Sequence, residues 1–314
     1  MPGAGGFAGK DPLALARQFG EHVPHSRDLG VQVVAVKADQ VRMRLSPQAW
    51  LLADDESQEI CTSVLYSLAD SAAGLAVFAA ARELSPIATL DLRMDYLRPA
   101  AGDRALSALA RCLHLTDDVA FVHCELLSEG QEQPVALGRV TFMRNTRGKP
   151  LQAPAEAAQR NVAATAARQS MPLEPSAGID ARTAWQALLE RIPYARHLGF
   201  EAQQNDTGTE LRLPYRDALI GNVSLPALHG GVLGALIETT ARVAAQSHDT
   251  GARRPRIVDC DIDYLRSARA QCTFASAEIV RHGRRTSLVQ VTCRQEGSSA
   301  SIARGRVQLL LSTP

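Results

Sequence analysis

This chain states one pattern twice. Residues 21–31 read EHVPHSRDLGV and residues 190–200 read ERIPYARHLGF; residues 91–98 read DLRMDYLR and residues 259–266 read DCDIDYLR. Gly138-Arg139-Val140 returns as Gly305-Arg306-Val307. The offsets agree within two residues: 169 (193 − 24), 168 (263 − 95) and 167 (306 − 139). A steady offset that long exceeds any solenoid repeat, so the chain is a duplicated domain. The copies fall at residues 11–145 and 180–314. Residues 146–179, rich in Ala, Pro and Gln, read as a linker with a helical turn or two over 154–168.

The remaining composition excludes several classes. With 34 Lys+Arg against 33 Asp+Glu and a net charge of +1, there is no basic surplus to displace counterions from nucleic acid. Aromatic residues at 4% leave no base-stacking platform. The six cysteines, Cys61, Cys112, Cys124, Cys260, Cys272 and Cys293, show no metal-ligand spacing and read as small buried hydrophobes in a reducing compartment. The N-terminus has no apolar core of a secretory signal. The longest apolar stretch, 64–81, is interrupted by Asp70 and two serines, a poor membrane span. A cytoplasmic protein is expected.

Both copies share one plan. A short amphipathic helix opens each, with Asp11-Pro12 or Asp180 at its start. Two strands follow, at 31–36 and 41–45 or at 200–204 and 210–213. One long apolar helix comes next, over 62–83 or 230–247. Four alternating strands close each copy, at 89–96, 106–115, 121–128 and 135–144, then at 257–264, 272–282, 287–295 and 300–311. A helix before an antiparallel meander is α+β. Because that helix is apolar nearly all round, the sheet must wrap it. The plan is a hot-dog fold, and two tandem copies make a double hot dog.

The helix starts carry the chemistry. The second long helix opens His229-Gly230-Gly231, whose backbone N–H groups no side chain shields. With the helix dipole behind them, these donors suit a polarised carbonyl or an oxyanion. The first long helix carries Asp70 among apolar neighbours, where a carboxylate needs partners. The alternative partners for Asp70 are a neighbouring loop, Arg93 or Arg98. An acidic residue recurs at the matching position as Glu238, which favours a functional pair.

His-Gly-Gly opening an apolar helix, an acidic residue nine positions on, and a strand ending Asp-Tyr-Leu-Arg together resemble the PaaI-type hot-dog acyl-CoA thioesterases. The stretch 280–286, then Glu296-Gly297 and Ala303-Arg304-Gly305, follows the same pattern. The resemblance covers both copies outside the linker and the first ten residues. It implies hydrolysis of acyl-CoA without a cofactor beyond the CoA of the substrate, and says little about the acyl group. Gly230 and Glu238 stand about 12 Å apart along one helix at ~1.5 Å per residue, so they cannot serve one carbonyl. In such folds two units pair with antiparallel helices, so the carboxylate comes from the other copy.

Two unequal composite sites follow. Site one joins His229, Gly230 and Gly231 to Asp70, with Asn222 and Thr89 in the family's Asn and hydroxyl positions. Site two joins Cys61, Thr62 and Ser63 to Glu238; it lacks the glycines and has Ile257 in place of Thr89, with Arg242 placed to pair with Glu238. One working site per chain is expected, in which Asp70 acts as base or nucleophile and His229 orients the helix start. Arg281, Arg284 and Arg285 are candidates for the CoA phosphates, or a solvated turn. The alternatives are a non-catalytic acyl-CoA-binding protein and a hot-dog hydratase or dehydratase. Exposed sheet edges suggest a homodimer of chains.

Overall fold

A computed structural model describes residues 23–82, 86–144, 146, 180–206, 208–222, 226–249 and 253–312. The linker and the Asp11-Pro12 helix start lie outside the described residues.

The repeated Pro-to-Gly stretch is a short helix in each copy, α1 (Pro24–Leu29) in the first. Proline sits in the first turn, where its missing N–H costs nothing, and Gly30 closes the helix at φ 75°. Strands β1 (Gln32–Val36) and β2 (Gln40–Leu45) follow, then the long helix α2 (Thr62–Ala81) and strands β3 (Ala88–Tyr96), β4 (Leu106–Leu115), β5 (Val119–Ser128) and β6 (Ala136–Met143). The second copy opens with α3 (Ala181–Glu190), capped by Asp180 accepting from the Thr183 N–H, and α4 (Pro193–Leu198), closed by Gly199 at φ 78°. It continues with β7 (Glu201–Asn205), β8 (Gly208–Leu213), β9 (Ile220–Asn222), β10 (Ala227–Leu228), the long helix α5 (Gly230–His248), β11 (Arg254–Tyr264), β12 (Thr273–His282), β13 (Thr286–Gln295) and β14 (Ser301–Ser312).

The expected strands form within a few residues of their sequence bounds. What the sequence did not reveal is that the two sheets are one. Twelve strands run in the order β1-β2-β4-β5-β6-β3-β11-β14-β13-β12-β8-β7, joined where β3 meets β11 antiparallel. In that register Arg93 pairs with Asp261, its own equivalent at the 168-residue offset. The junction is therefore a pseudo-twofold axis, and the two halves of the sheet are its images.

Curvature comes from bulges at matching places. The β3 register shifts between Thr89 and Asp91, and that of β11 between Ile257 and Asp259. Shifts between Cys112 and His114 and between Ile279 and Arg281 form the second matched pair. Each extra residue bends its strand. This explains why Leu113 and Val280, the extra residues of the second pair, are exposed at 63% and 53%.

On the concave face α2 and α5 lie side by side, buried against the strands of their own copies. Helix α2 is long and apolar enough to cross a membrane, yet here it is enclosed by the core. The repeated Gly-Arg-Val explains how the helices settle so deeply. A Cβ on Gly305 would lie 2.4 Å from Ile237 Cγ2, and one on Gly138 would lie 3.0 Å from Met94 Sδ. The Cβ deleted from each glycine makes room for the packing around the helix above. Between the helices, a Cβ on Gly231 would stand 2.5 Å from Ser67 Cα and one on Gly234 would stand 2.4 Å from the Tyr66 ring.

Gly305→Ala overpacks α5 against β14 and is expected to cost about 1–3 kcal/mol. Gly138→Ala, which meets only a flexible thioether, costs less. Urea unfolding of the two variants beside the wild type checks the order.

Candidate active site

The antiparallel helices place the start of each beside the middle of the other. Asp70, in the third turn of α2, is 6% exposed. Its Oδ2 accepts from the Gly231 N–H at 3.1 Å and its Oδ1 accepts from Thr89 Oγ1 at 3.1 Å. A Cβ on Gly230 would come within 2.7 Å of Asp70 Oδ2, so only glycine lets the carboxylate approach this helix start. His229 occupies the cap position, and its Nδ1 also accepts from the Gly231 N–H, at 3.0 Å. Tyr264 donates to the Gly230 carbonyl at 2.8 Å. The structure thus gathers Asp70, Thr89, His229, Gly230 and Gly231 at one point. Asn222 pairs its backbone with Ala227 on the short β9–β10 ladder; its side chain lies outside the described residues. Gly221 beside it passes so near His229 that a Cβ would sit 2.6 Å from His229 Cα.

Burial pushes the His229 imidazole below its ordinary value, while the neighbouring Asp70 pulls the other way. A neutral ring fits its role here, since only an unprotonated Nδ1 can accept from a backbone N–H. Neither arginine considered as a structural partner reaches Asp70. Arg93 pairs with Asp95 at 2.8 Å, and Arg98 reaches Gln133.

The pseudo-symmetric site is built differently. Glu238 is fully buried. Thr62 and Ser63 each donate a hydroxyl to its Oε2 at 2.9 Å, and Tyr96 donates to Oε1. The positions of the two glycines therefore carry side chains that close on the carboxylate. Cys61 takes the place of His229 at the cap with no side-chain cap bond, its thiol pushed up by burial. The expected Arg242–Glu238 pair does not form. Arg242 instead donates to the Ala53 carbonyl at 2.7 Å and stands 3.7 Å from Asp54 Oδ2. The carboxylate is satisfied by hydroxyls, so no cation is needed.

Arg281, Arg284 and Arg285 lie on the β12–β13 hairpin. Arg253 donates to the Arg284 carbonyl and Leu311 donates its N–H to Arg285. Arg253 is tied to Asp249, just past the end of α5. Helix α5 is roughly 27 Å long at ~1.5 Å per residue, and Gly230 is at its opposite end. The structure keeps these arginines away from Asp70. Sequence reasoning passed over Tyr96 and Tyr264, although both stand in the repeated Asp-Tyr-Leu-Arg. The arginines of that motif, Arg98 and Arg266, are exposed, whereas the tyrosines face the helix starts.

Comparison with known proteins bears on the family and the fold. The family described as the thioesterase superfamily matches residues 62–135, and that of the acyl-CoA thioesterase N-terminal domain matches residues 222–309. An Escherichia coli protein named medium/long-chain acyl-CoA thioesterase YigI is 27% identical over 142 residues, covering 41% of this chain and 90% of its own. A Mycobacterium tuberculosis protein named as an esterase is 30% identical over 123 residues, covering 38% of this chain and 85% of its own. The crystal structure of a Novosphingobium aromaticivorans protein named as a thioesterase matches 90% of this chain and 98% of its own, with a TM-score of 0.58 at 14% identity. That likeness extends the hot-dog fold across both copies.

Glu238 gives a pH test. Burial pushes Glu238 from its ordinary 4.5 up to about 7, against the downward pull of Tyr96, Ser63, Thr62 and Cys260. The folded state holds the proton more tightly than the unfolded state. The stabilisation is therefore complete below pH 4.5 and is lost as pH rises toward 7. At 1.36 kcal/mol per unit this amounts to about 3 kcal/mol. Glu238→Gln has no such titration. The stability of the wild type relative to this variant is expected to fall by about that amount between pH 4.5 and 7.5, measured by urea unfolding.

Proposed function

The chain belongs to the thioesterase superfamily, and from that premise we propose that it hydrolyses acyl-CoA thioesters to the free acid and CoA at one composite site per chain. The observation that carries this reading is Asp70 of the first copy held against the Gly230-Gly231 helix start of the second.

The thioester carbonyl oxygen takes its place at the N-terminus of α5, where the Gly230 N–H has no acceptor among the described residues. The positive end of the helix dipole supports the charge that develops there. Water, positioned beside Thr89 and Asp70, attacks the carbonyl carbon while Asp70 takes its proton. The tetrahedral intermediate then collapses with cleavage of the C–S bond, and Asp70 returns the proton to the departing thiolate. Loss of a single oxyanion donor typically costs 10²–10³ in rate, and at site two the Thr62 and Ser63 side chains that close on Glu238 cover the helix start, which weighs against turnover there.

The name of the Escherichia coli relative favours medium and long acyl chains as substrates. Five buried cysteines and one partly buried, all free, fit a reducing compartment such as the cytoplasm. The free sheet edges β1 and β7 leave room for a homodimer of chains.

Thiol release from phenylacetyl-, hexanoyl- and palmitoyl-CoA tests the proposal. Asp70→Asn is expected to lower kcat at least about 10³-fold, and Glu238→Gln to leave it within about threefold. Loss of turnover with Glu238→Gln alone would reverse the site assignment. An active-site-intact wild type that binds acyl-CoA without releasing thiol would make the chain a binding protein.

A further inference from the structure

Beyond the catalytic carboxylate lies a chain of buried polar side chains that the hydrolysis does not itself use. Ser71, the residue after Asp70 on α2, meets His229 Nε2 at 3.2 Å through its hydroxyl, and Ser26 of α1 meets the Ser71 hydroxyl at 3.2 Å. His25 of the same short helix packs against the His229 ring, with centroids 4.8 Å apart and the rings tilted at 47°, and its Nε2 lies 3.4 Å from Ser67 Oγ. His25 and Ser26 are 0% and 3% exposed, Ser71 and His229 7% and 6%. In a core, four such side chains are costly unless they satisfy one another.

The pseudo-twofold shows that this cluster is not a property of the fold. At the 168–169-residue offset, His25 becomes Tyr194, Ser26 becomes Ala195 and Ser71 becomes Thr239, while the partner ring of His229 becomes Cys61. The polar chain is therefore present at the Asp70 site and replaced at the Glu238 site. The backbone plan is common to both, so the difference belongs to the chemistry of one site.

Hydrogen-bond bookkeeping says what the chain does. The Gly231 N–H is a donor, so the His229 Nδ1 facing it at 3.0 Å carries no proton. A neutral imidazole then carries its proton on Nε2, and the acceptor there is Ser71 Oγ. Ser26 Oγ, 3.2 Å from Ser71 Oγ, is within hydrogen-bond distance of that hydroxyl. In the opposite tautomer Nδ1–H would oppose the Gly231 N–H and would instead donate to Asp70 Oδ2, 3.3 Å away. That bond would add a second donor to an oxygen that already accepts from the Gly231 N–H, and a carboxylate held by more donors is a weaker base. The tautomer of His229 thus sets how readily Asp70 takes a proton.

We propose that Ser71, supported by Ser26 of α1, is a positioning residue that fixes His229 in its Nε2–H tautomer and thereby keeps Asp70 the stronger base. The proposal rests on the hydrolytic reading of the Asp70 site. It also makes α1, a six-residue helix of the first copy, part of the active-site architecture, because only that helix brings Ser26 and His25 to the back of the His229 ring.

The test pairs kinetics with a direct view of the ring. In ¹⁵N-histidine-labelled wild type, long-range ¹H–¹⁵N correlation, with His229→Asn for assignment, is expected to show His229 protonated on Nε2 alone. Ser71→Ala is expected to lose that single-tautomer pattern and to lower kcat about 10- to 100-fold, with KM within about twofold. Ser71→Thr keeps the hydroxyl, and the second copy already holds threonine at the matching position; it is expected to retain kcat within about threefold. A wild-type ring protonated on Nδ1 overturns the proposal. Equal losses in Ser71→Ala and Ser71→Thr, or an unchanged kcat in Ser71→Ala, also overturn it. A wild type that hydrolyses no thioester yet shows the Nε2–H ring defeats the hydrolytic reading and leaves the positioning of His229 standing.

Discussion

Everything at the two sites depends on how closely α2 and α5 can run past each other. Gly231 against Ser67 and Gly234 against Tyr66 leave no space for a Cβ on α5. Missing side chains of this kind allow antiparallel helices to bring an N-terminus against the middle of the neighbour. Gly234 and Tyr66 are equivalents at the 168-residue offset. The large ring of one copy fills the notch left in the other, so the helix pair is held in a single register by a shape that neither copy has alone. Strand pairing across β3 and β11 sets the same register from the outside.

Within that register each copy faces the same physical problem, a carboxylate with little access to water. The two solve it differently. Asp70 is short and lies against a bare helix start, where a backbone N–H and one threonine hydroxyl hold it. Among the described residues the Gly230 N–H has no acceptor. Glu238 is one methylene longer and reaches two hydroxyls of the opposite helix start and a tyrosine as well. The donors that would receive a substrate oxygen at the first site are, at the second, covered by the side chains that satisfy the carboxylate. Burial raises Glu238 to about 7, in the range of a working base, so the covered helix start, and not the titration of the carboxyl, is what sets this site apart.

Much of this was legible in the sequence because the duplication makes residues comparable within one chain. Asp70 with Glu238, and Thr62-Ser63 with Gly230-Gly231, announce both the shared geometry and its asymmetry. The hot-dog plan follows from one apolar helix and the strand spacing around it. The continuous sheet was not legible, since nothing in β3 or β11 marks which edge they will pair; both alternate charged and apolar residues as an ordinary outer strand does. Arg242 was misplaced for a related reason. Its spacing from Glu238 allows an ion pair, but the long side chain turns to the Ala53 carbonyl on the other copy, a partner defined only by tertiary packing. The His25–Ser26–Ser71 chain was not legible, because histidine and serine carry no periodic signal in a six-residue helix and Ser71 is one of several serines on the long α2.

Covalent linkage of the two copies has a consequence for how such a site persists. Asp70 and Gly231 are 161 residues apart in sequence yet belong to one polypeptide, so their meeting is a folding event and does not depend on protein concentration. Each copy is then free to lose what only the opposite site would use. The first copy keeps Asp70, Thr89, Ser26 and Ser71 and gives up its glycines; the second keeps His229 and the glycines and replaces Ser26 and His25 by Ala195 and Tyr194. In a symmetric assembly of identical units none of these exchanges would be possible, because a change that closes one site would close every site. The asymmetry seen around Asp70 and Glu238 is therefore the structural return on duplication: one helix start stays open beside its carboxylate, and the other is closed by the hydroxyls that satisfy Glu238.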